Sequence, residues 1–150
     1  MAVQIAKERG AYVIATASAR NHDYLRDLGV DEIIDYETVR FDEMAGEMDV
    51  VLDTIGGETQ ERSWKVLKKG GILVSIVSPP STATAVTYGV RSAFVFIQPN
   101  AAQLTELATL VDAKKLKVHV STVLPLAEAR RAHQLSEGGH IRGKIVLQVV

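Results

Sequence analysis

The sequence predicts an α/β protein built on a doubly wound parallel sheet. Three observations predict it. Short runs rich in Val, Ile and Leu recur along the chain with apolar residues on both faces, among them "YVIATA", "DVVLDT", "ILVSIVS" and "KIVLQVV". Segments with helical spacing alternate with these runs. Glycines follow several of the helical segments and end them, and right-handed crossovers then put helices on both sides of the sheet.

The elements follow in order. Ala2, Val3, Ile5 and Ala6 fall at helical spacing. Lys7 and Arg9 complement the negative end of that helix, and Gly10 terminates it. Residues 12–17 read as a strand buried on both faces. Residues 21–29 read as a helix with Asn21 as N-cap and Gly29 as terminator. A second strand covers 32–36 and a short helix or turn 38–47. The third strand, 49–54, is broken by "IGG". "ETQERSWKVLKKGG" reads as a helix with Glu58 and Glu61 in its first turn, Lys65, Lys68 and Lys69 in its last, and Gly70-Gly71 as its stop. The fourth strand covers 72–78. A Pro/Ser/Thr loop leads to the fifth, 92–99. A helix over 101–115, an extended segment over 118–126, a helix over 126–138 and a strand over 144–150 complete the pattern.

At 150 residues, one domain can bury roughly 70% of the surface its unfolded chain exposes. The absence of cysteine excludes disulfides, thiolate zinc sites and thiol nucleophiles within the chain, and fits a cytoplasmic location. Charges in residues 2–10 argue against a signal peptide. Pro79-Pro80 and several hydroxyls interrupt the longest uncharged stretch, 70–90, so no membrane span is expected. Residues 1–60 carry a balance of −8 and residues 61–150 one of +7. Solvated helix faces that differ in charge are the favoured account of this over a functional basic surface. No basic cluster with interleaved aromatics suggests a nucleic-acid groove. His22 and His119 are isolated, and His133 and His140 flank a glycine pair, which gives no metal-ligand pattern.

In a doubly wound sheet, ligands bind outside the carboxyl ends of the strands. After the first strand come Thr16, Ala17, Ser18 and Arg20, where an NAD-binding fold usually places Asp or Glu to hold the ribose hydroxyls. An acid there would repel a 2′-phosphate, whereas a hydroxyl and a guanidinium would hold one, which favours NADP. The plainer reading of Ser18 and Arg20 is a turn and a surface charge. Tyr36 follows the second strand and is placed to cover an adenine, or to be a half-buried strand-end aromatic. After the third strand, Thr54 offers a hydroxyl, and Gly56-Gly57 permit close backbone approach. Val77 and Ser78 follow the fourth strand, deeper along the same cleft.

The segments "AVQIAKERGAYVIATASARN", "LGVDEIIDY", "DVVLDTIGGETQERSWKVLKKGGILVSI", "FVFIQPN" and "PLAEARRAHQLSEGGHIRGKIVLQV" resemble, in the right order, the medium-chain dehydrogenase/reductase superfamily. Within it they resemble the zinc-free quinone oxidoreductases, NADPH-dependent enzymes acting on quinones and other activated alkenes. The resemblance implies a Rossmann-like fold in which Ser18, Arg20 and Asn21 bind the 2′-phosphate of NADPH and Tyr36 packs by the adenosine. It also implies that Thr54 lines the cofactor groove and that Val77 and Phe96 border the nicotinamide. Lys144, in the "GK-apolar" ending, is implied as a cofactor or domain contact.

The resemblance makes residues 1–117 a dinucleotide-binding domain without its first strand and glycine-rich loop, and residues 118–150 a segment that packs on a GroES-like catalytic domain. The pyrophosphate normally sits on that loop and its helix N-terminus. No catalytic residue and no zinc ligand carries over, and the chain alone is expected to bind NADPH weakly or not at all and not to turn over a quinone or enone. The neighbours of the missing central strand must close up, accept a strand from another chain, or leave polar backbone groups unpaired at roughly 1–3 kcal/mol each. The resemblance also implies a homodimer through edge pairing of strand 92–99, and an ordinary buried strand is the equal alternative. Two other enzyme readings carry less. None of the four tyrosines has a lysine four residues later, as a short-chain dehydrogenase needs. A methyltransferase would explain "VLKKGGILVSI" but not "RGKIVLQV". A non-catalytic remnant or one piece of a split protein is the remaining alternative.

Overall fold

The computed structural model describes residues 1–139 and 141–149, so His140 and Val150 lie outside the described residues. The chain forms two compact units, residues 11–100 and residues 1–10 with 101–150. Every strand pairing in both is parallel, as the double-faced apolar runs require.

In the unit of residues 11–100, β1 (Ile14–Thr16) pairs with β2 (Glu32–Ile34), with α2 (His22–Asp27) between them in sequence. The short α3 (Phe41–Met44) leads to β3 (Met48–Asp53). β3 pairs with β4 (Leu67–Ser75), and β4 with β5 (Arg91–Phe94). α4 (Gly57–Ser63) connects β3 to β4, and α5 (Thr82–Tyr88) connects β4 to β5. β1 and β3 do not pair with each other, so each keeps an open edge among the described residues. Side chains join the two ladders instead. Ile34, Phe41 and Val66 form one buried cluster, to which Ile14, Met48 and Val51 add. Trp64, Leu73 and Ala85 form a second, with Val51 again against it. Phe41 is also covered by the Arg62 guanidinium, 5.0 Å from its ring centre. Arg40, Arg62 and Lys65 all reach the Asp42 carboxylate, and the Arg40 hydrogen bond chiefly holds its pKa below the ordinary value.

In the other unit, β6 (Val120–Pro125), α7 (Ala129–Glu137) and β7 (Lys144–Gln148) make one parallel βαβ crossover. α1 (Ala2–Glu8) and α6 (Ala101–Asp112) belong to the same unit. The Gln4 amide brackets Lys117, donating to its carbonyl at 3.1 Å and accepting from its N–H at 2.7 Å, and Glu8 pairs with Lys115. Gly143, at φ +93°, enters β7 directly against His119. A Cβ there would lie 2.6 Å from the imidazole Cδ2 and 3.0 Å from the carbonyl carbon.

Several sequence expectations need correction. The helix expected through Lys69 ends at Ser63, a 3-10 turn covers Trp64–Val66, and Lys68 and Lys69 lie in β4. The reason is tertiary: Trp64 and Val66 are buried, and Leu67 already pairs with Met48. Residues 68–71 bulge from the ladder, with Gly70 at φ +78°, before Ile72 rejoins at Val50. The loop expected before the fifth strand contains α5, capped by the Ser81 hydroxyl on the Thr84 N–H at 3.1 Å and closed by left-handed Gly89. The fifth strand does not run over 92–99 but stops at Phe94. Its last bond to the sheet is Val95 N–H to the Ser75 carbonyl at 3.0 Å, because β4 itself ends at Ser75. The first strand is three residues long and half-buried, and Tyr12 is exposed.

Candidate functional site

The loops that leave the strands of residues 11–100 carry seven of the eight residues singled out in the sequence. After β1, Ala17 and Ser18 are buried. The Ala17 N–H donates to the Ile34 carbonyl at 3.0 Å, and the Ala17 carbonyl accepts from the His22 imidazole Nε2 at 3.1 Å, so that nitrogen carries the proton. The Ser18 hydroxyl is enclosed and has no hydrogen-bond partner among the described residues. Arg20 is exposed and Asn21 half-buried, within the 3-10 turn Ala19–Asn21 that opens α2. After β2, Tyr36 is exposed beside a turn held by the Asp35 carboxylate on the Glu37 N–H at 3.0 Å. Thr54, Val77 and Phe96 follow the adjacent strands β3, β4 and β5, and all three are exposed. Lys144 lies in the other unit, at the start of β7. It lines an open hollow of about 460 Å³ with His133, Ser136 and Ile145.

The most constrained part of this surface was not singled out in the sequence. Asp53 ends β3 and is 3% exposed. One carboxylate oxygen accepts from the Ile55 and Gly56 N–H groups at 3.0 and 2.8 Å. The other accepts from Gln60 Nε2 and the Ser75 hydroxyl, both at 2.8 Å. Ser75 Oγ then accepts from the Val77 and Ser78 N–H groups at 3.2 and 3.3 Å. Gln60 also donates to the Ser78 carbonyl at 3.1 Å. Burial pushes the Asp53 carboxyl up, but the donors from Gly56, Gln60, Ile55 and Ser75 outweigh it and hold the group below the usual carboxylate range. The sequence carries only the separate pieces of this junction and not their convergence. Two apolar strand runs each end on a polar residue, Asp53 and Ser75, and Gln60 lies inside the intervening helix.

Gly56 completes the junction. Its φ of +78° lies in the left-handed region that favours glycine, and it brings the first loop against the second. A Cβ there would stand in ordinary contact, 3.4 Å from both Val77 Cγ1 and Ser78 Oγ, so the backbone conformation and not space selects glycine.

Residues 28–147 match the family model of the zinc-binding dehydrogenases. The chain belongs to that family. Among relatives of this zinc-binding dehydrogenase chain is the mitochondrial NAD(P)H oxidoreductase RTN4IP1 of Danio rerio, 31% identical, aligned over 99% of this chain and 46% of that protein. The quinone oxidoreductase of Coxiella burnetii superposes with a TM-score of 0.91 at 35% identity, over 99% of this chain and 48% of that one. The Escherichia coli quinone oxidoreductase, solved with NADPH, superposes with a TM-score of 0.82 at 24% identity over 99% of this chain and 52% of that one, a likeness of fold. The chain thus spans about half the length of the relatives it matches. The fold is Rossmann-like, and the likeness to quinone oxidoreductases read in the sequence holds.

The family's zinc does not fit this donor set. The chain has no cysteine, and among the described residues no three His, Asp or Glu side chains converge as metal ligands. No helix among the described residues is long and apolar enough to cross a membrane.

Proposed function

We propose that this chain is the cofactor-binding portion of an NADPH-dependent oxidoreductase that reduces quinones or other activated alkenes. The observation that carries the reading is the surface at the strand ends, where an orphaned buried hydroxyl, Ser18, lies two residues from an arginine and no acid replaces either. Ser18, Arg20 and Asn21 would hold the 2′-phosphate, because a hydroxyl without a partner and a guanidinium both gain from an anionic oxygen. Tyr36 would cover the adenosine, Thr54 would line the groove, and Val77 and Phe96 would border the nicotinamide. Lys144 would contact the cofactor or a neighbouring domain. When bound, the cofactor supplies the hydride. This chain's residues bind and orient it.

The division into residues 1–117 for the cofactor and 118–150 for docking a catalytic domain belongs to the same reading. On this reading the chain alone binds NADPH weakly or not at all and shows no quinone turnover. The open edges of β1 and β3 favour a second reading, in which it works as one piece of a split protein. The cysteine-free composition supports a cytoplasmic location, while the Danio rerio relative is named as mitochondrial. Titration of the 150-residue chain with NADPH and NADH tests the proposal. A clear preference for NADPH is expected. Equal affinity for the two would end the role given to Ser18 and Arg20, and measurable quinone reduction by the chain alone would overturn its incompleteness.

A further inference from the structure

We infer that Asp53 is a positioning residue that welds the loops after β3 and β4 into one preset floor for the uncharged, nicotinamide end of the cofactor. The inference rests on the cofactor reading above and deepens it.

The hydrogen bonds set what this floor can bind. A phosphate binds to a loop through free backbone N–H groups. Here the N–H groups of Ile55 and Gly56 are taken by the Asp53 carboxylate, and those of Val77 and Ser78 by the Ser75 hydroxyl. A buried carboxylate beneath the loops also repels an anion. The outward side chains are of another kind. Ile55, Ile76 and Val77 are 68%, 50% and 49% exposed, beside the Thr54 hydroxyl. Three apolar side chains on a backbone whose N–H groups at Ile55, Gly56, Ile76, Val77 and Ser78 are already bonded suit the face of a flat, uncharged ring. The loops gain this shape from Asp53 because its two oxygens reach both sides: one holds the first loop, and the other holds Ser75 and Gln60, which hold the second.

Two variants separate these roles. Asp53→Asn keeps size and one carbonyl oxygen but turns the other atom into a donor facing the Gln60 amide. Ser75→Ala cuts the link to Val77 and Ser78 and leaves the Ile55 and Gly56 bonds in place. The probes are NADPH and 2′,5′-ADP, which carries the phosphorylated adenosine half and no nicotinamide. Dissociation constants for the full chain are measured by saturation-transfer NMR, with circular dichroism as the check that each variant folds. Both variants are expected to reduce the preference for NADPH over 2′,5′-ADP by about tenfold, with 2′,5′-ADP affinity kept within about twofold. An unchanged preference in Ser75→Ala, or a parallel loss of both ligands in both variants, overturns the inference and leaves the cofactor reading standing. A wild-type chain that binds neither probe at millimolar concentration overturns this inference, which needs the floor to form in this chain by itself, and leaves the cofactor reading to a test in which the rest of the enzyme is present.

Discussion

Asp53 and Ser75 are register partners at the ends of two adjacent parallel strands, and the Ser75 hydroxyl donates to the Asp53 carboxylate at 2.8 Å. Both side chains are buried, so an apolar ladder ends on a charged, fully bonded junction. A carboxylate whose pKa is lowered by folding adds stability above its unfolded value, near 3.9, and loses it as pH falls through the lower folded value. Urea unfolding followed from pH 7 to pH 3 is expected to show the wild-type chain weakening on the acid side. Asp53→Asn is expected to start about 2 kcal/mol less stable at pH 7 and to lose less on acidification. Identical acid limbs in the two proteins would contradict this account.

Arg20→Ala is expected to lower NADPH affinity about tenfold and leave NADH affinity nearly unchanged, since only the former carries a 2′-phosphate. Ser18→Ala removes a buried hydroxyl that has no partner among the described residues, so the folded protein is expected to become no less stable while NADPH binding weakens. Paired thermal melts and titrations check both. Unchanged NADPH binding in both variants would return these residues to the plain reading of a turn and a surface charge.

Gly143→Ala forces a methyl group onto His119 at a left-handed backbone position. A loss of at least about 2 kcal/mol is expected. Hydrogen exchange should localise it: amides of β6 and β7 exchange faster, and those of β3, β4 and β5 keep their protection. Equal acceleration throughout would mean that the two units unfold as one.

Leu73 is fully enclosed beside Trp64, the single tryptophan. Leu73→Ala is expected to destabilise the chain by about 2–5 kcal/mol. Trp64 emission should shift to the red on unfolding, because the indole is 1% exposed and stacks on Tyr88 at 6.5 Å between ring centres. A native emission maximum already typical of water-exposed indole would contradict that burial.

Phe96 and Ile97 are about four-fifths exposed, just beyond the end of β5. If a second copy covers them, native mass measurement should find a dimer that Phe96→Asp converts to monomer. A wild-type chain that is monomeric at micromolar concentration would end the dimer reading. Because β5 stops at Phe94, such a dimer would rely on side-chain burial more than on the strand pairing that residues 92–99 suggested.

Much of this architecture was legible without coordinates. Apolar runs such as "DVVLDT" and "ILVSIVS" gave the parallel ladders, and Gly10 and Gly29 marked helix ends, where both adopt positive φ. These are local signals, set by side-chain periodicity and by which residue tolerates a left-handed backbone. α5 is equally local, with Ser81 and Gly89 bracketing it as cap and terminator, but its Pro/Ser/Thr surroundings read as a loop. Of the candidate site, the residues that follow each strand could be named, but not the junction beneath them.

The sequence by itself determined the class of the fold, the order of its elements and the absence of an acid beside Ser18. The tertiary structure decided where those elements stop and which polar groups are buried. Lys68 and Lys69 lie in a strand because burial of Trp64 and Val66 and the pairing of Leu67 with Met48 outweigh helix propensities worth tenths of a kcal/mol per residue. Asp53 stays charged in the interior because donors from its own loop, from α4 and from β4 converge on it. That convergence joins residues up to 22 positions apart, and no local pattern encodes it.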